Sequence, residues 1–289
     1  MLEMNLQGRN AIITGASQGL GKVIAEHFVR AGANVLLCAR SKPELAAARS
    51  ELARLAPAQK VLAHVCDVSD ETQVNDVVEY ALAEFGTVEV LVANAGVYGP
   101  MGPTETVDLD EWRQALEINL FGLLLPARAL IPHFKRAGGG KIIVLSGGGA
   151  TNPLPNISCY AASKAAAVRL METLAEELRE FKVDVNAVAP GAMKTRLVEQ
   201  VLAAGPEVVG AAFFAKNKKW SEDGATPLAL GASLCVYLAS AASDGITGKL
   251  ISAQWDPWRE LEKHRAELAK TDIYCLRRIV PEDRGMKWS

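Results

Sequence analysis

Short, almost unbroken apolar runs alternate along this chain with longer stretches whose apolar residues recur every three or four positions. The runs are Asn10–Thr14, Asn34–Ala39, Lys60–Val65, Val88–Ala93, Lys141–Ser146, Val183–Val188 and Lys249–Ser252. Runs of this kind suit strands whose two faces are both covered by helices. The intervening stretches Leu20–Ala31, Lys42–Leu55, Asp70–Phe85, Leu109–Ala137, Ser158–Phe181 and Pro227–Ala239 carry helical periodicity. Thr226 and Pro227 make a helix start, the hydroxyl as cap and the proline in the first turn. Pro126 and Pro132 are expected to kink the fourth helix. The alternation predicts one α/β domain, a doubly wound parallel sheet of about seven strands over residues 1–252, and a C-terminal extension over 253–289.

Two motifs sit at telling places in this pattern. Thr14-Gly15-Ala16-Ser17-Gln18-Gly19-Leu20-Gly21 follows the first strand and precedes an amphipathic stretch, Val23 to Val29. Glycines there permit a tight turn and close backbone approach, and the helix start points its positive end at a phosphate. The spacing is Gly-x3-Gly-x-Gly, unlike the commoner dinucleotide fingerprint, so the loop alone does not decide between a ligand site and a plain strand–helix turn. Tyr160 and Lys164 stand at i and i+4 of a predicted helix and so share a face. An ammonium beside a phenol favours the phenolate, which would bring Tyr160 toward use as a general acid near neutral pH.

Together these motifs resemble those of the short-chain dehydrogenase/reductases. Further segments fit the same resemblance, in order: Asp67-Val68, Asn94-Ala95-Gly96, Asn119 in Glu117-Ile118-Asn119-Leu120, and Pro190-Gly191-x3-Thr195. The likeness runs from about Leu6 to Ser252. It implies a Rossmann-like fold and an oxidoreductase passing hydride between NAD(P)(H) and a carbonyl or secondary alcohol. It implies catalytic roles for Asn119, Ser146, Tyr160 and Lys164. It places the cofactor against Gly15, Ser17, Gln18, Gly19, Leu20, Gly21, Arg40, Ser41, Asp67, Val68, Asn94, Ala95, Gly96, Pro190, Gly191 and Thr195, besides Tyr160 and Lys164. In that scheme Lys164 also binds the nicotinamide ribose, and Asn119 orders a water that relays protons. A homotetramer or homodimer is implied too, assembled partly through the helices bearing Asn119 and Tyr160. Sugar epimerisation or dehydration on the same fold, and a non-catalytic redox sensor, are the alternatives.

Two positions depart from the pattern or refine it. The second strand ends on Ala39, where the family's NAD enzymes carry an acidic residue, and Arg40 and Ser41 follow. A guanidinium and a hydroxyl suit a 2′-phosphate, so NADP(H) is the expected cofactor, with NAD(H) as the alternative. The family's serine stands 13 residues before the tyrosine, and Gly147 occupies that position. Ser146 is the nearest hydroxyl, and glycines 147–149 give the loop freedom to present it. Otherwise Ser158 or a water fills the role.

Composition narrows the rest. In 289 residues, 49% are hydrophobic, and 31 basic against 33 acidic residues leave a formal charge of −2. That offers no basic stripe for nucleic acid and no polybasic membrane patch. No continuous apolar run nears the roughly 18 residues of a membrane span. Five scattered cysteines and four dispersed histidines suggest a reduced, cytoplasmic, metal-free protein. Residues 196–225 read either as a loop over the pocket, with Phe213, Phe214 and Trp220 to grip a ring or chain and Lys216, Lys218 and Lys219 to meet an anion, or as a mobile loop with a solvated basic edge. In the extension, Asp256 and Pro257 predict a helix start. Trp255 and Trp258 are expected near the pocket mouth, walling the substrate site or docking for stability.

Overall fold

The computed structural model describes residues 4–223 and 225–288. Seven strands, β1 (Asn10–Thr14), β2 (Asn34–Ala39), β3 (Val61–Val65), β4 (Val90–Ala93), β5 (Gly140–Leu145), β6 (Val183–Ala189) and β7 (Leu250–Ser252), form one sheet in the order β3-β2-β1-β4-β5-β6-β7. Every pairing is parallel. Strand alternation sorts the apolar residues into two layers. Ile13, Val35 and Leu37 face α1 (Gly19–Arg30), α2 (Lys42–Leu55) and α10 (Leu228–Ala239), whereas Ile12, Leu36 and Val144 face the opposite layer. That second layer is α3 (Glu71–Phe85), α5 (Gly122–Ala137) and α6 (Ser158–Leu178). The chain order reverses between β1 and β4, and ligands in such sheets bind at that switch, beyond the carboxyl ends of the strands.

Three elements differ from the periodicity reading. The stretch Leu109–Ala137 is α4 (Leu109–Leu116), a π turn over Glu117–Phe121, and then α5. Its irregularity lies at the π turn, centred on Asn119, while Pro126 and Pro132 fall inside α5. This helical stretch is by length and mean hydropathy (29 residues, 1.4) apolar enough to cross a membrane. Here it packs on α3, β4 and β5, and Leu123, Leu130 and Phe134 belong to the core. Residues 196–223 are helical: α7 (Arg196–Ala204), α8 (Pro206–Val209) and α9 (Ala211–Asp223). The apolar residues Val198, Val201 and Val209 are buried there, which a loop reading of the charged lysines overlooks. Thr226 does not cap α10. Its hydroxyl donates instead to Gln254 Oε1 at 2.8 Å.

Beyond β7 the chain turns back over the α1–α10 layer. A 3-10 stretch, Trp258–His264, leads into α11 (Arg265–Leu268), so the charged composition yields a tighter, shorter helix than the pattern suggests. Trp258 is 1% exposed, lies 5.7 Å from the Tyr237 ring, and donates to Ala253 O. It is a core residue and not a wall at the pocket mouth, while Trp255 is exposed. The last apolar group is tied down by polar bonds. Lys249 Nζ donates to Thr271 O and Ile273 O, Leu250 N–H donates to Tyr274 O, and Glu172 accepts from Leu276 N–H.

Candidate active site

Each glycine of the first loop answers a separate steric demand. Gly15 and Gly19 take φ of +64° and +57°, in the left-handed region that side chains avoid. Gly21 has ordinary dihedrals but no room, since a Cβ would lie 2.3 Å from Gly15 O and 2.4 Å from Asn94 Nδ2. Asn94 is the reason. Its amide donates to Thr14 O and Gly15 O, while Thr14 Oγ1 accepts from the backbone N–H of Asn94 and Ala95. The asparagine thus welds the ends of β1 and β4 into one ledge. Leu20 and Pro190 both crowd Gly231, which brings the glycine loop to the Pro190–Gly191 turn after β6. Gln18 and Gly19 are exposed and Ser17 is half-buried, so this turn presents its polar face outward at the amino end of α1. That is a cradle a dinucleotide pyrophosphate fits.

Arg40 and Ser41 stand at the end of β2, as the sequence places them. Arg40 is largely exposed, its guanidinium 3.8 Å from Asp67, and Ser41 precedes α2 without using its hydroxyl as a cap. Asp67 accepts from Ser69 N–H and Oγ, which fixes the turn after β3, and Val68 is buried against Gly122 of α5. Gly191, at φ +92°, presses on Thr226 and Gln254, and Thr195 opens α7. Gln254 is a residue of the extension that sequence reasoning did not connect with this turn.

Below the ledge lie the candidate catalytic groups. Tyr160, Lys164 and Asn119 are all buried, at 9%, 5% and 4% exposure. Lys164 Nζ donates to Leu145 O at 2.7 Å and lies 5.7 Å from the Tyr160 ring centroid. A Cβ at Gly96 would sit 3.2 Å from Asn119 Oδ1 and 3.4 Å from Lys164 Nζ, so Gly96 meets both. Burial dominates the electrostatics. It pushes the Tyr160 phenol well above its ordinary range, with Tyr98 adding to the rise, and takes the Lys164 ammonium down to about 8. Against the expectation that the lysine lowers the tyrosine, burial sets the direction here, and the ammonium is turned toward a backbone carbonyl.

The Asn119 amide is committed to the protein. Oδ1 accepts from Val97 N–H, and Nδ2 donates to Val97 O and Ser163 Oγ. Ser146 Oγ, just past β5, is buried without a hydrogen-bond partner. Ser158 instead accepts from Trp112 Nε1 at 3.2 Å. Gly147 lies directly against Tyr160, since a Cβ there would fall 2.3 Å from Tyr160 Oη. The residue at the family's serine position is thus where the phenol oxygen rests. Tyr98 and Gly147 were not legible as partners of Tyr160, because both contacts depend on loop conformation and neither follows a helical or strand period.

A separate cavity of about 310 Å³ lies between α6, the segment before β7 and the tail, lined by Arg169, Glu172, Lys249 and Cys275 among others. It is at the amino end of the sheet, away from these groups. Among the described residues, no cluster of three or more His, Cys, Asp or Glu side chains could hold a metal.

The fold and the buried Tyr–Lys pair define a class, and comparison with known proteins gives the same one. Residues 9–205 match the short chain dehydrogenase family model, and the chain belongs to that family. It is 31% identical over 264 residues to 7α-hydroxysteroid dehydrogenase of Escherichia coli (strain K12), covering 89% of this chain and 97% of that protein. A gluconate 5-dehydrogenase structure from Burkholderia cenocepacia, in complex with NADP and tartrate, superposes with TM-score 0.76 at 27% identity, over 86% of this chain and 95% of that one. A 7α-hydroxysteroid dehydrogenase structure with NADH and 7-oxo glycochenodeoxycholic acid gives 0.76 at 30%, over 86% and 94%. The chain is an NAD(P)-dependent oxidoreductase of this family.

Proposed function

We propose that this enzyme passes hydride between NADP(H) and a carbonyl or secondary alcohol, with Tyr160 as general acid and base. The observation that carries the reading is the burial of Tyr160 beside Lys164 beneath a glycine ledge at the topological switch. Bound on that ledge, the nicotinamide supplies or receives the hydride. Tyr160 Oη gives its proton to the substrate oxygen in reduction and takes it back in oxidation. Lys164, held on Leu145 O, is the positive charge that stabilises the phenolate left behind, and it would hold the nicotinamide ribose. Ser146, buried and unpartnered, is the hydroxyl available to the developing oxyanion. Asn119 positions the Val97 segment through its side chain, which leaves any water-ordering role to its backbone. Arg40 and Ser41, with no carboxylate ending β2, favour a 2′-phosphate and so NADP(H) over NAD(H). The small-molecule relatives named above act on carbonyl and alcohol centres, in accord with this reaction type.

The test is a panel of ketones and secondary alcohols with both cofactors, on wild type and Tyr160→Phe. Loss of the acid should lower kcat roughly 10²–10⁴-fold with NADPH affinity kept. Near-normal turnover by the variant overturns the assignment. Turnover without net change in NADP(H) would instead mark an epimerase or dehydratase.

A further inference from the structure

The loop leaving β4 brings a second phenol to the acid. The Tyr98 ring stands edge-on to Tyr160, with centroids 4.6 Å apart and planes at 68°. Such an edge-to-face pair is a favoured aromatic geometry. Two anchors hold the ring there. On one side, Val97 is pinned through both its backbone groups by the Asn119 amide, each bond 2.8 Å. On the other, Gly99 takes φ +75° and lies so near α4 that a Cβ would come within 2.6 Å of Ala115. Between two fixed points the Tyr98 backbone has no room to retreat. Burial also holds its phenol at about 12, so the ring is neutral at any working pH.

The approach to Tyr160 follows from what surrounds it. The Gly147 backbone lies against its hydroxyl, Lys164 is on its own helix one turn away, and the side chain is nine-tenths buried. Tyr98 is only partly buried. A molecule whose oxygen meets Tyr160 Oη therefore lays the group beside its carbonyl along the Tyr98 ring. An apolar ring gains contact on that surface, whereas a hydroxylated chain would lose hydration there without recovering hydrogen bonds.

We propose that Tyr98 is a substrate-contacting, specificity-determining residue, a fixed aromatic wall that selects carbonyls borne on an apolar ring. The proposal rests on Tyr160 being the acid, and its test separates the two. Steady-state kinetics would compare cyclohexanone with acetone, which is too small to lie along the wall, in wild type, Tyr98→Phe, Tyr98→Ala and Tyr160→Phe. NADPH affinity and Tm would be measured alongside. For Tyr98→Ala the expected result is a rise of about tenfold or more in KM for cyclohexanone, with acetone changed less than about twofold. Tyr98→Phe, which keeps the ring and the packing, should stay within about threefold of wild type on both ketones. Equal losses on both ketones, losses confined to kcat, or a Phe variant as damaged as the Ala variant would overturn the proposal. Turnover surviving in Tyr160→Phe would strike the acid assignment itself, whatever the Tyr98 variants do. Should neither ketone be reduced, cyclohexanone binding to the NADP+ complex by saturation-transfer NMR decides the matter. Binding lost in Tyr98→Ala and kept in Tyr98→Phe supports the wall. No binding by wild type, or equal binding by all three, overturns it.

Discussion

At the scale of the residue, Lys164 shows what a buried charge costs a fold. Its ammonium donates to Leu145 O, and burial lowers it from the usual 10.5 to about 8. The unfolded chain then binds more protons than the native one between those values. The destabilisation is full below pH 8 and is relieved as pH rises toward 10.5. Lys164→Met should therefore be more stable than wild type near pH 6.5, by about 1–3 kcal/mol, and the gain should fade across that window. Denaturant melts at pH 6.5 and 10 check this, with activity abolished in the same variant. Arg40 invites a second substitution. Arg40→Ala should weaken NADPH by about 1.5–3 kcal/mol and leave NADH little changed, as titration of both cofactors would show. Equal losses would mean that the guanidinium serves only its ion pair with Asp67. Tyr160 and Lys164 were readable because an i, i+4 pair shares a face wherever the helix lies. The Asn119–Val97 clamp and the Tyr98 contact were not, since they join residues through a loop that has no period.

At the scale of the element, strands were legible nearly to the residue, because a doubly covered strand leaves an unmistakable apolar run. Helix irregularities were not. Proline was a sound reason to expect a kink in Leu109–Ala137, yet the π turn falls earlier, where Asn119 reaches across to Val97 and Ser163. Of the helices α7–α9, the last was obscured by its lysines, and the tail's start by a tryptophan that reads equally well as core or as pocket wall. Its burial decides between them. Trp258→Ala should cost about 3–5 kcal/mol, the range for truncating a large buried aromatic. For enzyme that remains folded, kcat/KM at moderate temperature should be unchanged. A specific loss of kcat/KM with Tm preserved would return Trp258 to the substrate site.

At the scale of the whole molecule, the helical stretch Leu109–Ala137 buries less than half of its most apolar segment within one chain. A second copy covering the outer faces of α5 and α6 would dry that surface, and we expect a homodimer or homotetramer by light scattering at micromolar concentration. A monomer there would show that the apolar face stays wet.

The tail has a consequence for how the protein comes into being. Trp258, Leu261 and Leu268 complete the same core layer as α1 and α2, which are made first. Leu250 N–H of β7 finds its acceptor, Tyr274 O, only once the segment beyond α11 has been made. During synthesis the amino-terminal strands are therefore complete long before the surface that seals their helices has left the ribosome. The nascent chain must carry an open apolar layer until the segment bearing Trp258, Leu261 and Leu268 emerges, which makes closure of that layer a late event and a point at which chaperones have something to hold.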